Sequence, residues 1–158
     1  GGKGKKSSGT ASWALEGIGS RAKPSTLPLE ERVRLSMSVA EECVDEAELR
    51  KLLEKKPSIR VYDGFEPSGR MHLAQALCKG MYIDRLTKSG MTFILFLADY
   101  HAALNNKMGG DLAKIRTVGE YMIEVWRACG VDVDGGNVEV VFAADVISKD
   151  PDGYWGRV

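Results

Sequence analysis

Tyr62-Asp63-Gly64-Phe65-Glu66-Pro67-Ser68-Gly69-Arg70-Met71-His72-Leu73-Ala74-Gln75 runs from residues that favour extended backbone, through breakers of regular structure, into residues at helical spacing. Ile59 to Tyr62 are apolar or aromatic apart from Arg60 and read as a strand, while Gly64, Pro67 and Gly69 let the chain bend with little bulk. From near Met71 the spacing predicts a helix whose apolar face holds Leu73, Ala76, Leu77, Gly80, Met81 and Ile83. A strand that turns tightly into a helix start presents unpaired backbone N–H groups and the positive end of the macrodipole, a geometry that favours phosphate. Ser68 and His72 stand four positions apart across the bend, and Gln75 follows one helical turn later. A hydroxyl, an imidazole and an amide can therefore converge on one anion.

Downstream, Ser89-Gly90 marks a turn, and Met91 to Ala98 is continuously apolar apart from Thr92, as expected of a strand covered on both faces. Asn105 to Gly110 reads as a polar loop. Ile115, Val118, Met122, Val125 or Trp126 and Cys129 then predict a helix ending at Gly130, and Val138 to Phe142 a third strand. Another helix is expected to begin near Tyr154. The alternation predicts an α/β fold with a Rossmann-like doubly wound parallel sheet, in which ligands sit beyond the carboxyl ends of the strands. The quoted stretch and the residues from Ala98 onward both fall at such ends.

Upstream, residues 25–57 are expected to form a helical pair. Pro28 suits the start of the first helix, with Val33, Met37, Ala40 and Val44 on one face. Asp45 is a good N-cap for the second, with Glu48 three residues on and Leu49, Leu52 and Leu53 as its apolar side before Lys55-Lys56-Pro57 ends it. This pair is expected to be scaffold. Residues 1–24, rich in glycine, lysine and serine, are expected to be a disordered or loosely attached tail, in which Lys3, Lys5 and Lys6 are a solvated basic cluster. Gly17-Ile18-Gly19-Ser20-Arg21-Ala22 matches the dinucleotide pattern, but no convincing strand precedes it and Lys23-Pro24 follows where a helix is needed, so it is rejected as a cofactor site.

Composition limits the possibilities. Lysine plus arginine and aspartate plus glutamate number 22 each, so no global basic field announces a nucleic acid partner. Cys43, Cys78 and Cys129 are odd in number, far apart and without C-x-x-C spacing, which fits reduced thiols in a cytoplasmic protein better than disulfides or a zinc site. No apolar run reaches membrane-spanning length, and the head lacks the apolar core of a secretory signal.

The stretch Pro67 to Gln75 resembles the HIGH signature of class I aminoacyl-tRNA synthetases, and the longer string from Tyr62 is similar to the archaeal and eukaryotic type of tyrosyl-tRNA synthetase. A second block, Phe96-Leu97-Ala98-Asp99-Tyr100-His101-Ala102-Ala103-Leu104-Asn105, resembles the same family's strand-end pattern, in the family's order and spacing. The resemblance covers about Leu29 onward. It implies that residues 58–158 are the N-terminal half of an incomplete catalytic domain that activates tyrosine with ATP and transfers it to tRNA(Tyr). It further implies Mg²⁺ on the pyrophosphate and a homodimer, with no membrane.

For the site, the resemblance implies catalytic roles for His72, Ser68 and Gln75, and an ATP-binding loop of Phe65, Glu66, Pro67, Ser68, Gly69, His72 and Gln75. Tyr62, Gly64, Glu66, Ala98, Asp99 and His101 are implied around the tyrosine, with Tyr62 reaching the substrate phenol. Glu66 and Asp99 are candidates for the substrate ammonium or for capping, with Asp99 slightly favoured. His101 is given a pocket-lining role. The HIGH form ends here in Ala74-Gln75 instead of glycine and histidine, and Gln75 can donate a hydrogen bond but carries no charge. Lys107-Met108-Gly109-Gly110 is an ordinary loop, too early for the family's KMSKS motif. The expected fragment therefore lacks that loop and the anticodon-binding domain, and by itself is expected to be inactive. Alternatives are a truncated non-catalytic paralogue or binding fragment, or another HIGH-type adenylyltransferase such as the tryptophan enzyme.

Overall fold

Three strands, β1 (Ile59–Phe65), β2 (Met91–Leu97) and β3 (Val138–Phe142), pair in parallel in the order β1-β2-β3. The computed structural model describes residues 19–155 apart from residue 57. Each connection between strands carries helix: α3 (Leu73–Lys88) joins β1 to β2, and α4 (Asp99–Leu104), a 3₁₀ turn (Lys107–Gly110) and α5 (Leu112–Ala128) join β2 to β3. Before the sheet lie α1 (Leu29–Met37) and α2 (Glu46–Lys55), and after it α6 (Ala143–Lys149) and α7 (Pro151–Trp155). This is the Rossmann-like α/β alternation that the sequence predicts.

Register assigns the two faces of the sheet. Val61 pairs with Phe93 and Phe65 with Leu97, and across β2 Phe93, Leu95 and Leu97 pair with Val138, Val140 and Phe142. These side chains share one face, where they pack with Ile83 of α3 and with Met122 and Trp126 of α5. Phe65 meets Trp126 edge to face, with ring centroids 4.7 Å apart. The other face carries Tyr62 and Gly64 of β1, opposite Ile94 and Phe96 of β2. At the amino ends of the strands a second cluster, Val33, Leu53 and Met91, seats the helical pair against the sheet. Arg32 fastens it by donating from Nε to the Ser89 carbonyl at 2.7 Å and from Nη1 to the Leu53 carbonyl at 2.9 Å. The pair thus lies at the end of the sheet remote from the turn after β1.

Several expectations change. Only Ala76, Gly80 and Ile83 of α3 are buried, whereas Leu73, Leu77 and Met81 form an exposed apolar stripe one helical turn apart. Helical spacing placed both rows on one surface, but the sheet covers only the narrower row. The first helix stops at Met37, so Ala40 and Val44 fall in the following loop, Val44 fully open to solvent. Asp45 caps α2 as expected, accepting from the Glu48 N–H at 2.9 Å. Within the expected tail, residues 19–24 are attached: Lys23 N–H donates to Asn137 Oδ1 at 2.9 Å, and Arg21 pairs with Glu139. Gly19 to Ala22 is a turn closed by Ala22 N–H on the Gly19 carbonyl, not a helix start. Gly17, Ile18, the Lys3, Lys5 and Lys6 cluster and the segment after Trp155 lie outside the described residues. Cys43, Cys78 and Cys129 are free thiols, and no described helix is long and apolar enough to cross a membrane.

Candidate active site

β1 and α3 meet through a seven-residue turn that begins at Glu66. Pro67 is buried and anchors this turn in the core, while Gly69 takes φ +152°, a conformation side chains disfavour although nothing stands within 4 Å of its added Cβ. Lys79 of α3 forms an ion pair with Asp63 of β1, its ammonium 5.7 Å from the Phe65 ring, and so ties the helix alongside the strand that feeds it. His72 is the N-cap of α3, exposed, with no capping bond from its side chain, and no acidic residue occupies the helix's first turn. No acidic side chain of the helix's own first turn therefore offsets the field of this terminus.

A cavity of about 240 Å³ opens at this turn, lined by Gly64, Glu66, Ser68, Gly69, Arg70 and Gln75, with Phe65 and Met122 behind them. It brings together most of the residues expected to bind ATP. Two stand apart: Pro67 is in the core, and His72 is at the helix start beside the cavity without lining it. Arg70 was not anticipated. Its signal was a cation within the turn itself, at a position read only as a spacer.

The second block is joined to the first by two bonds. Ala98 N–H donates to the Phe65 carbonyl at 2.8 Å, and Asn105 Nδ2 donates to Glu66 Oε1 at 2.7 Å. Beyond it lies a larger, mostly apolar cavity of about 560 Å³, lined by Phe96, Tyr100, His101, Ala143, Ile147 and Trp155 among others. Phe96 connects this cavity to the open face of the sheet, since it pairs with Gly64, whose missing Cβ would meet nothing within 4 Å. Tyr62 stands on the same face, 77% exposed. Tyr62, Gly64 and Phe96 thus share one face of the sheet, and of them only Phe96 lines the apolar cavity, together with His101. Phe96 escaped the sequence reading because a continuous apolar run hides which residues face which side.

Asp99 is not in either cavity. It is 2% exposed, and its Oδ1 accepts from the N–H groups of Tyr100 and Ala144. Beside it, Arg116 of α5 donates bidentately to Asp145 of α6 at 2.8 and 2.9 Å and stacks 3.7 Å above the Phe142 ring. This hydrogen bonding from Arg116 holds the Asp145 carboxyl below its ordinary range and raises the guanidinium's own pKa. Among the described residues no group of three or more histidine, cysteine or acidic side chains is placed to hold a metal ion.

Residues 54–151 match the family model described as tRNA synthetases class I (W and Y). Over 130 residues the chain is 47% identical to tyrosine–tRNA ligase 1, cytoplasmic, of Arabidopsis thaliana, an alignment covering 82% of this chain and 33% of that protein. Its fold superposes on Leishmania major tyrosyl-tRNA synthetase, solved in complex with tyrosinol, with a TM-score of 0.77 and 49% identity over 82% of this chain and 19% of that one. Tyrosyl-tRNA synthetase from Pyrococcus horikoshii, complexed with L-tyrosine, gives a TM-score of 0.69 at 34% identity, covering 82% of this chain and 36% of that one. The chain spans about a third of the Arabidopsis protein. With the family model matched over more than half of its length, the chain belongs to the class I tRNA synthetases (W and Y).

Proposed function

We propose that this chain supplies part of an active site that activates tyrosine with ATP and passes the product to tRNA(Tyr). The observation that carries the reading is a polar cavity at the start of α3, with Ser68, Arg70 and Gln75 on its wall, adjoining an open sheet face that presents Tyr62, Gly64 and Phe96. An anion site and an aromatic-bearing face meet at one strand end. In the first step a tyrosine carboxylate oxygen attacks the α-phosphorus of ATP in line, forming the acyl phosphate bond as pyrophosphate leaves with the electrons of the broken phosphoanhydride bond. The substrate is its own nucleophile, so the protein's task is to orient two anions and stabilise charge growing on phosphate oxygens. Ser68, Gln75, Arg70, His72 and the free N–H groups of α3 are assigned to those oxygens. Mg²⁺ would ride on the pyrophosphate and is assigned no protein ligand.

Tyrosine is placed over Gly64 with its phenol towards Tyr62 and its flank against Phe96 and His101. Glu66, which lines the polar cavity, is assigned the ammonium group. A site that hydrogen-bonds the phenol rejects phenylalanine strongly, because the analogue leaves a buried polar group unpaired. The relatives extend well beyond the matched region. The test is ATP–pyrophosphate exchange by the complete protein with tyrosine, tryptophan and phenylalanine in turn. Exchange dependent on tyrosine is expected, and exchange with tryptophan alone overturns the substrate assignment.

A further inference from the structure

Asp99 follows β2 directly and opens α4, yet its carboxylate serves a helix that starts much later in the chain. Oδ1 accepts from the Tyr100 N–H at 2.9 Å and from the Ala144 N–H at 2.8 Å, so one oxygen joins the first turn of α4 to the first turn of α6. Both helices line the apolar cavity: Tyr100 and His101 come from α4, Ala143 and Ile147 from α6. Asp99 itself is 2% exposed and lines neither cavity. A carboxylate engaged this way is poorly placed to meet the ammonium of an incoming amino acid. It is well placed to fix the distance between α4 and α6, whose cavity flanks the proposed position of the ring.

We infer that Asp99 is a positioning residue for amino-acid recognition, which sets the width of the apolar cavity by bonding α4 to α6 and makes no contact with substrate. This rests on the function proposed above. The oxygen acts here as an acceptor, not as a charge. Asparagine keeps an acceptor at the same point and removes the charge, whereas alanine removes the acceptor and leaves two backbone donors unpaired. Arg116 lies within the field of Asp99, but both oxygens of Asp145 hold it, so loss of the charge alone leaves Arg116 in place.

The test compares the complete protein with its Asp99→Asn and Asp99→Ala variants in tyrosine-dependent pyrophosphate exchange. Tyrosinol affinity is measured by calorimetry, and amide hydrogen exchange is followed at Tyr100 and Ala144. Asp99→Ala is expected to raise KM for tyrosine by about 10- to 100-fold, the usual cost of a small misplacement, with KM for ATP unchanged. Tyrosinol affinity should fall in parallel, and both amides should lose protection. Asp99→Asn is expected to rescue KM, affinity and protection together. If asparagine is as damaging to KM and tyrosinol affinity as alanine, the charge touches the ammonium and the inference fails. It also fails if alanine lowers the melting temperature but leaves KM for tyrosine intact. Should Asp99→Ala not fold, Asp99→Asn decides alone: near-normal KM and tyrosinol affinity support the inference, and a tenfold loss overturns it. Absence of tyrosine-dependent exchange in the unsubstituted protein refutes the proposed function instead. Asp99 is then judged on the amides, whose loss of protection in alanine but not asparagine supports the bond between helices and whose equal protection in both overturns it.

Discussion

His72 and Gly119 show how differently two residues can matter. His72 is exposed at the start of α3 and makes no side-chain cap, so its removal takes no packing or capping energy from the fold. His72→Ala is expected to leave unfolding free energy within about 0.5 kcal/mol of the unsubstituted protein. The same change should slow pyrophosphate exchange by roughly 10²–10³-fold, the usual loss for one donor to a developing oxyanion. Chemical denaturation and exchange kinetics on the same preparation check both halves. Gly119 of α5 is the reverse case. A Cβ there would come 2.7 Å from Phe142 Cε1 and 3.4 Å from Leu97 Cδ1, and Arg116, one turn earlier on the same helix, stacks on the Phe142 ring. Overpacking of this kind costs about 1–3 kcal/mol against a gain of about 1 kcal/mol in helix propensity. A Cβ on Gly80 of α3 would meet Val131 Cγ2 at 3.4 Å and the carbonyl oxygen and Cβ of Cys129 at 3.9 and 4.0 Å, ordinary contacts, so the propensity gain dominates there. Denaturant midpoints should therefore move in opposite directions, down for Gly119→Ala and up for Gly80→Ala.

At the scale of elements, the long helices are legible in the sequence because their pattern repeats: α3 and α5 announce themselves by period, and the three strands by short apolar runs between breakers. The short ones are not. α4 spans Asp99–Leu104 and α6 Ala143–Lys149, too few turns for a periodic signal, and α6 has its Ala144 N–H bonded by Asp99, 45 residues earlier. Such a bond exists only once the fold does. α6 is also held to α5 by Arg116 and Asp145, and that ion pair gives the element a pH dependence. Hydrogen bonding from Arg116 lowers the Asp145 pKa in the folded chain below its ordinary value of 3.8. Folding therefore favours the deprotonated form, and the contribution is complete above the ordinary value and lost as pH falls through the lower folded one. The two side chains are 38% and 53% exposed, so solvent screening limits the pair to about 0.5–1 kcal/mol. Unfolding of Asp145→Asn should show a deficit of that size at neutral pH and none in strong acid. A deficit that persists in acid would assign the effect to packing.

On the scale of the whole molecule, the sheet divides the labour between its ends. The helical pair closes the amino ends of the strands through Val33, Leu53 and Met91, while the candidate site lies at the carboxyl ends, and Val61 and Leu86 are the partly buried side chains that flank both clusters. The sequence reading put the candidate site at this end because glycine, proline and polar residues mark that turn. It misjudged the surface, since apolar content alone did not distinguish the covered row of α3 from the exposed row of Leu73, Leu77 and Met81. Two clusters with so narrow a junction imply unequal stability. Leu53 is 1% exposed, and its truncation to alanine removes buried methyl groups and leaves a cavity, a change that costs about 2–5 kcal/mol. Because its partners are on α1, α2 and the start of β2, the loss should fall mainly on the opening of the helical pair. Amide hydrogen exchange of Leu53→Ala is expected to show lost protection along α1 and α2, with Leu95 of β2 and the Trp126 region of α5 little changed. Uniform loss across both clusters would mean that the molecule opens as one unit, with Val61 and Leu86 coupling its ends.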